Sequence, residues 1–310
     1  MRVNTSNGYC CFVRSDYVHR QIVPTSFKSA ESWVILSPIE QSIKQKIEAV
    51  GTPLKDWDIS INYGIKTGYN DAFIVTTDKR NEILANCQNE DERKKTEELI
   101  RPILRGRDIK RYGYDWAGLY LIATFPARNY DIDMYPALKA YLLSFGIERL
   151  EQTGKTRIVN GQSIKARKKT NNKWFETQDS ISYWDLFFQP KICWKAVGRL
   201  LAFAIVEAGT FLTAPASFIS AGDDNEYLLA CLCSDIGRYF IFKNSDTTGA
   251  GDIMLNIQSL IKFPVPHSYD KQYISQVLQK EDRDRLVNAY LKQLYGFNDE
   301  EWSYITNLQR

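Results

Sequence analysis

The sequence predicts an α+β fold: mixed, mostly antiparallel strands with interleaved helices and a C-terminal helix pair. Three observations carry this. Strand-like and helix-like stretches interleave without the regular βαβ alternation of a doubly wound sheet. Three strand candidates, "FQPKICWKAV", "LAFAIVEAG" and "TAPASFISAG", follow one another with no helical pattern between them. The chain then closes on "EDRDRLVNAYLKQLYGFNDEEWSYI", two short helices split at Gly296.

Taken in order, residues 1–30 read as a polar, irregular approach, so a connecting segment is placed at 1–32. "WVIL" is strand-like. Ser37–Pro38 then starts a helix whose Ile39, Ile43, Ile47 and Val50 share one face before Gly51 ends it. "LKDWDISINYGI" and "AFIVT" flank a glycine-containing turn, which predicts a hairpin. A charged helix over 89–103 is expected to close on Pro102. A strand in "GLYLIATFP" and a helix from Pro136 to Phe145 come next. After the three consecutive strands, "NEYLLACLCSDIGRYFIF" reads as one apolar helix and "IKFPVPHS" as an extended exit. These divisions give a main domain at 33–266 and a helical tail at 267–310 packed on it.

Composition bounds the chemistry. The 310 residues are 44% hydrophobic and 13% aromatic, enough for a core, and the ordinary charged fraction of 25% excludes wholesale disorder. A net charge of +3 neither demands nor excludes nucleic acid, because a local patch matters more than the sum. The six cysteines (Cys10, Cys11, Cys87, Cys193, Cys231, Cys233) lack C-x-x-C spacing, and only His19 and His267 could assist a metal. Buried, reduced thiols in a cytoplasmic protein are therefore expected, with no structural metal. No run of about 18 apolar residues occurs, so no membrane partner is expected.

Catalytic signatures fail one by one. In "INYGIKTGYNDAFIV" at 61–75, Gly64 and Gly68 stand only four apart, and no Lys-Ser/Thr pair follows to meet phosphate and metal. The stretch also leads into a strand, not into a helix N-terminus that would face an anion. "TTGAGD" at 247–252 is a glycine-rich turn without strand–helix context. There is no G-x-S-x-G elbow, and no Pro-Pro for an adenine methyltransferase's Asn-Pro-Pro-aromatic turn. A magnesium nuclease could be sought in Asp71, Glu92 and Lys94, but "ERK" at 92–94 sits on a helix-like charged run. No catalytic set survives.

What remains is charge. "RPILRGRDIKRYGY" carries Arg101, Arg105, Arg107, Lys110 and Arg111. Residues 152–173 hold seven basic side chains (Lys155, Arg157, Lys165, Arg167, Lys168, Lys169, Lys173) and no acid, then run into Trp174–Phe175. Such asymmetry favours contact with a nucleic-acid backbone over an indifferent surface loop. A single-strand binder is a weaker reading, because no aromatic pattern of the RNP or OB type appears.

Six stretches standing in order are similar to the TaqI-like C-terminal specificity domain. They are "GIKTGYNDAFIV", "ELIRPILRGRDIKRY", "YPALKAYL", "KWFE", "FFQPKICW" and "IKFPVPH", and the likeness covers roughly residues 33–310. The resemblance implies a target recognition domain of a type IIG restriction–modification enzyme or adenine-specific DNA methyltransferase. Its partners would be double-stranded DNA and a methyltransferase domain, in cis or as a partner chain. S-adenosylmethionine and Mg²⁺ would belong to catalytic domains absent from this chain, which on its own would be no enzyme. "GIKTGYNDAFIV" would then be an opening hairpin, with Phe73 in the core.

Under that reading, Lys66, Thr67, Arg105, Arg107, Lys110 and Arg111 are candidates for phosphate. Arg105 and Arg107 could equally pair with Asp108. Lys165, Arg167, Lys168, Lys169, Asn171, Asn172, Lys173, Lys195 and Arg199 are candidates for base edges. Trp174, Trp184 and Trp194 are read as core. The rival from another class is a protein-interaction module docking a methyltransferase through Tyr290, Leu294, Tyr295 and Trp302. Packing of those four side chains on the chain's own core is the plainer reading.

Overall fold

The computed structural model describes residues 36–199 and 201–307. The connecting segment at 1–32, Cys10, Cys11, His19 and most of the "WVIL" strand lie outside those residues. The fold is α+β with mostly antiparallel sheets, as the sequence predicts.

Chain order begins with the helix Pro38–Val50, which opens on a capping box. The Ser37 hydroxyl accepts from the Glu40 amide, and the Glu40 carboxylate accepts from the Ser37 N–H at 2.8 Å. Ile43 and Ile47 on its inner face are fully buried.

The molecule is organised around a four-stranded antiparallel sheet in the order Phe203–Val206, Lys191–Trp194, Ser217–Ser220, Ser60–Tyr63. Ile192 faces Ile205 on one side and Ile219 on the other, while Cys193 faces Ala204 and Phe218. Because successive side chains alternate faces, Ile192, Trp194, Phe203 and Ile219 enter one hydrophobic core. Cys193, Ala204, Val206 and Phe218 enter a second. The sheet is the wall shared by both, which is why its central strand, "KICW", is buried at every position.

The first core is largely helical. Its helices are Pro38–Val50, Asn225–Cys233, Asp235–Asn244, Lys271–Leu278, Arg283–Tyr295 and Asp299–Asn307, with Asn225–Cys233 packed directly on the sheet. The predicted C-terminal pair is present, and Gly296 ends its first helix in the left-handed region at φ 69°. Tyr295 is 1% exposed, and Tyr290, Leu294 and Trp302 pack on the same core. That apolar face is therefore spent inside the molecule.

The second core is built on a sheet in the order Phe211–Leu212, Ile100–Leu104, Leu119–Ile122, Ile74–Thr76. Only the pairing of Phe211–Leu212 with Ile103–Leu104 is parallel. Helices Thr77–Ala85 and Pro136–Leu143 contribute Ile83, Leu138 and Leu142 to this core.

Three elements differ from expectation. The strands Ser60–Tyr63 and Ile74–Thr76 do not pair; the first joins Ser217–Ser220 and the second joins Leu119–Ile122. A helical turn, Asn70–Phe73, stands between them, so the predicted hairpin is instead a crossing from one sheet to the other. The charged helix ends at Leu99, and Pro102 lies within the following strand. Proline disfavours helical geometry at the residue before it, and the chain has already turned extended at Ile100. The long apolar helix is two, broken at Ser234. The Ser234 backbone is extended, and its hydroxyl accepts from the Gly237 amide while donating to the Cys231 carbonyl at 2.6 Å.

Cys193, Cys231 and Cys233 are buried free thiols, as the apolar setting of each predicts. Among the described residues no helix is long and apolar enough to cross a membrane. Nor does any group of three or more His, Cys, Asp or Glu among them come together to hold a metal ion. Glu92, the central residue of the nuclease alternative, is 4% exposed and accepts backbone N–H groups from Gln88 at 2.7 Å and Ala137 at 2.8 Å. Its oxygens are occupied in tying a helix start to a neighbouring helix.

Candidate nucleic-acid interface

The stretch 64–70 is fixed by what surrounds it. Gly64 lies so close to the chain at Thr213 that an added Cβ would sit 2.6 Å from the Thr213 carbonyl, so only glycine fits. Ile65 then bridges to the same segment, accepting from the Ala214 N–H at 3.0 Å. The Lys66 N–H donates to the Asp179 carboxylate at 3.1 Å, and its side chain is exposed. Thr67 is 1% exposed; its hydroxyl donates to Asn70 Oδ1 at 2.6 Å and accepts from the Tyr69 N–H at 3.1 Å. This corrects its reading as a phosphate contact: Thr67 holds the turn from within.

Residues 166–183 contain no regular strand or helix, so their backbone groups need partners other than a ladder. Buried polar side chains supply them. Arg167, 2% exposed, donates to the carbonyls of Leu150 at 2.7 Å, Thr67 at 3.0 Å, Glu176 at 2.7 Å and Trp174 at 2.6 Å. Its guanidinium also lies 4.9 Å from the centre of the Phe73 ring. Burial lowers the Arg167 pKa to about 10. The structure thus corrects its reading as a base contact: four carbonyls solvate this cation in place of water.

Gln152, 4% exposed, donates to the carbonyls of Glu176 at 3.0 Å and Lys173 at 3.2 Å and accepts from the Thr170 hydroxyl at 2.9 Å. Asn172 Nδ2 donates to the carbonyls of Thr177 at 3.1 Å and Gln178 at 2.9 Å. The Glu176 carboxylate accepts from the Lys173 N–H at 2.7 Å. An irregular loop is held in one shape, with its lysines outside.

Beside this loop runs an open groove of about 1020 Å³ between 170–183 on one wall and Ala196–Val197 and Met254–Asn256 on the other. Lys66 and Asn172 reach it; so do Tyr63, 55% exposed, and Tyr183, whose hydroxyl donates to the Tyr63 carbonyl at 3.0 Å. Burial pushes the Tyr183 phenol up to about 12, so it is a neutral hydrogen-bonding group at ordinary pH. Tyr63 and Tyr183 were not singled out from the sequence, where nothing distinguishes them from the other tyrosines.

The remaining candidates divide by exposure. Lys165, Lys168, Lys169, Asn171 and Lys173 are exposed, and Lys195 is half-buried next to Ala196, which lines the groove. Arg107 and Lys110 are exposed, with Lys110 at 4.0 Å from Asp115. Arg199 is 79% exposed and 3.6 Å from Asp252.

Arg105 and Arg111 are engaged internally. Arg105 grips Asp108 with two parallel hydrogen bonds of 3.0 and 2.7 Å. Burial alone would raise the Asp108 carboxyl, but the Arg105 side chain and amide outweigh it and hold it below its ordinary value. Arg111 pairs with Asp284, donates to the Cys233 carbonyl at 2.6 Å and lies over the Tyr112 ring, clipping the 105–115 loop to the C-terminal helices. Arg105 thus makes the Asp108 pair that the sequence offered as its alternative, and both side chains stay partly exposed, at 27% and 34%. Phe73 is fully buried and Trp194 is 1% exposed; Trp174 and Trp184 pack against the second core, all as read from the sequence.

No protein-family model matches the chain. In sequence it is similar to the type II methyltransferase M.XhoI of Xanthomonas vasicola, with 26% identity over 285 residues. That span covers 88% of this chain and 46% of the relative, so the chain spans less than half the relative's length. In structure it is similar to the type IIL restriction-modification enzyme MmeI in complex with DNA, at a TM-score of 0.54 and 13% identity over 83% of this chain and 35% of MmeI. It is also similar to the type IIG restriction endonuclease BpuSI, at a TM-score of 0.50 and 12% identity over 88% of this chain and 32% of BpuSI. At those identities the structural likeness is one of fold.

Proposed function

We propose that this chain is the part of a type IIG-like restriction–modification enzyme that recognises double-stranded DNA by sequence. It would position a methyltransferase domain, and a nuclease domain with it, on the site it binds. The observation that carries the reading is the acid-free segment 152–173, which is fastened by buried Gln152 and Arg167, keeps its lysines exposed, and lends Thr170 and Asn172 to the lining of an open groove. Similarity to M.XhoI, and the shared fold with MmeI and BpuSI, support it.

In this account, lysines attract and position the phosphate backbone, and polar groups around the groove touch base edges. The chain supplies an address; transfer of a methyl group from S-adenosylmethionine, and any Mg²⁺-dependent cleavage, belong to the other domains. A base to be methylated would be flipped into the methyltransferase pocket.

The test uses Lys168→Ala combined with Lys169→Ala, both exposed side chains, with thermal melting expected to match wild type. Duplex affinity should fall, and the slope of log affinity against log salt should flatten by about one to two. Unchanged affinity and slope would remove the loop from the interface.

A further inference from the structure

The strands Thr156–Val159 and Gln162–Lys165 form a hairpin that is exposed along nearly its whole length. Its tip is Asn160–Gly161, at φ 51° and 77°, the two positive values that a type I′ two-residue turn requires. Cross-strand pairing puts Thr156, Ile158, Ser163 and Lys165 on one face and Arg157, Val159, Gln162 and Ile164 on the other.

The second face leans on the body: Arg157 pairs with Glu151 at 3.2 Å, and Val159 and Ile164 are half-buried. The first face meets only solvent. On it Ile158 is 80% exposed, more than any other large hydrophobic side chain among the described residues.

One exposed isoleucine is ordinary. This one sits between two hydroxyls and a lysine, in a segment of 22 residues without an acid. Its base is tied down on both strands. The Gly154 N–H donates to the Arg167 carbonyl at 2.8 Å, Ala166 N–H to Lys155 at 2.9 Å, and Arg167 N–H to Glu151 at 2.9 Å. A basic ribbon anchored at its base thus presents one apolar side chain, Ile158, close to its turn and flanked by short hydrogen-bonding groups. Two strands about 4.8 Å apart with side chains fit a major groove about 12 Å wide, the entry mode of β-ribbon readers.

We propose that this hairpin enters the major groove of duplex DNA with the face of Thr156, Ile158, Ser163 and Lys165 on the base edges. Ile158 makes the apolar contact with a thymine methyl group. The inference rests on the duplex-recognition reading and adds the element and the side chain that do the reading.

The experiment starts from a duplex selected by the wild-type chain out of a random pool. Each thymine in it is replaced in turn by deoxyuridine, which deletes only the methyl. Wild type should bind about fourfold more weakly at one position, the size expected for one buried methyl. Ile158→Ala should bind the parent duplex more weakly and be indifferent to that substitution. Its thermal melting should match wild type, since the side chain packs on nothing.

If no thymine is methyl-sensitive, or Ile158→Ala keeps the full sensitivity, the hairpin inference falls while duplex recognition stands. Binding without sequence enrichment overturns the hairpin inference and with it recognition by sequence, leaving only attraction to the duplex backbone. Absence of any duplex binding at low salt overturns both readings.

Discussion

Lys191 shows what a single residue does in this fold. It sits on the central strand with its side chain fully buried. Among the described residues no carboxylate pairs with it; its ammonium donates to the carbonyls of Phe187 at 3.0 Å, Gln189 at 3.2 Å and Glu207 at 3.3 Å. Burial pushes its pKa down from 10.5 to about 8. Below pH 8 both folded and unfolded chains hold the proton, and the folded chain bears the cost of a buried charge. Between pH 8 and 10.5 the folded chain releases it while the unfolded chain keeps it, so this residue's contribution to stability rises with pH across that window. Denaturant unfolding of wild type against Lys191→Met should show the wild type gaining up to about 3 kcal/mol relative to the variant from pH 8 to 10.5. Parallel curves would contradict this. Neither this lysine nor Arg167 could be told from surface cations in the sequence. In "KARKK" four of the five residues are cations that look alike, and which one turns inward depends on carbonyls from distant segments.

At the scale of elements, Arg167 joins pieces that sequence places far apart: the 64–70 loop, the end of Ile147–Leu150, and the 174–176 turn. Arg167→Ala would take this donor from the carbonyls of Leu150, Thr67 and Trp174 and leave Glu176 with Gln152 alone, a loss of about 3 kcal/mol. Chemical denaturation should show that loss, and duplex affinity should fall with it because the lysines lose their frame. Arg167→Lys should recover only part, since one ammonium cannot reproduce the planar fork. A variant as stable as wild type would refute the knot. The elements themselves were legible where period and caps agree, as in Pro38–Val50, the three consecutive strands and the Gly296 break. They were misread where tertiary pairing decides. "SINY" and "AFIVT" look like two arms of one hairpin, yet each finds its partner elsewhere, more than forty residues along the chain in both cases. The hairpin at 156–165 escaped notice because its charge, not its Asn-Gly turn, dominated the reading.

Over the whole molecule, one sheet lends alternate faces to two cores, and the basic loop and groove lie beside it. The α+β class followed from element order alone. The candidate site was legible as a charge pattern between 152 and 173, but its division into inward ties and outward contacts was not, because burial is a property of packing. The central claim is sequence-specific recognition of duplex DNA. Its most direct test is to titrate the purified chain into a fluorescent random-sequence duplex pool at several salt concentrations and sequence the bound fraction. The account predicts enrichment of one short asymmetric motif over a background that falls steeply with salt. Binding without enrichment of any motif, or no binding even at low salt, would contradict it.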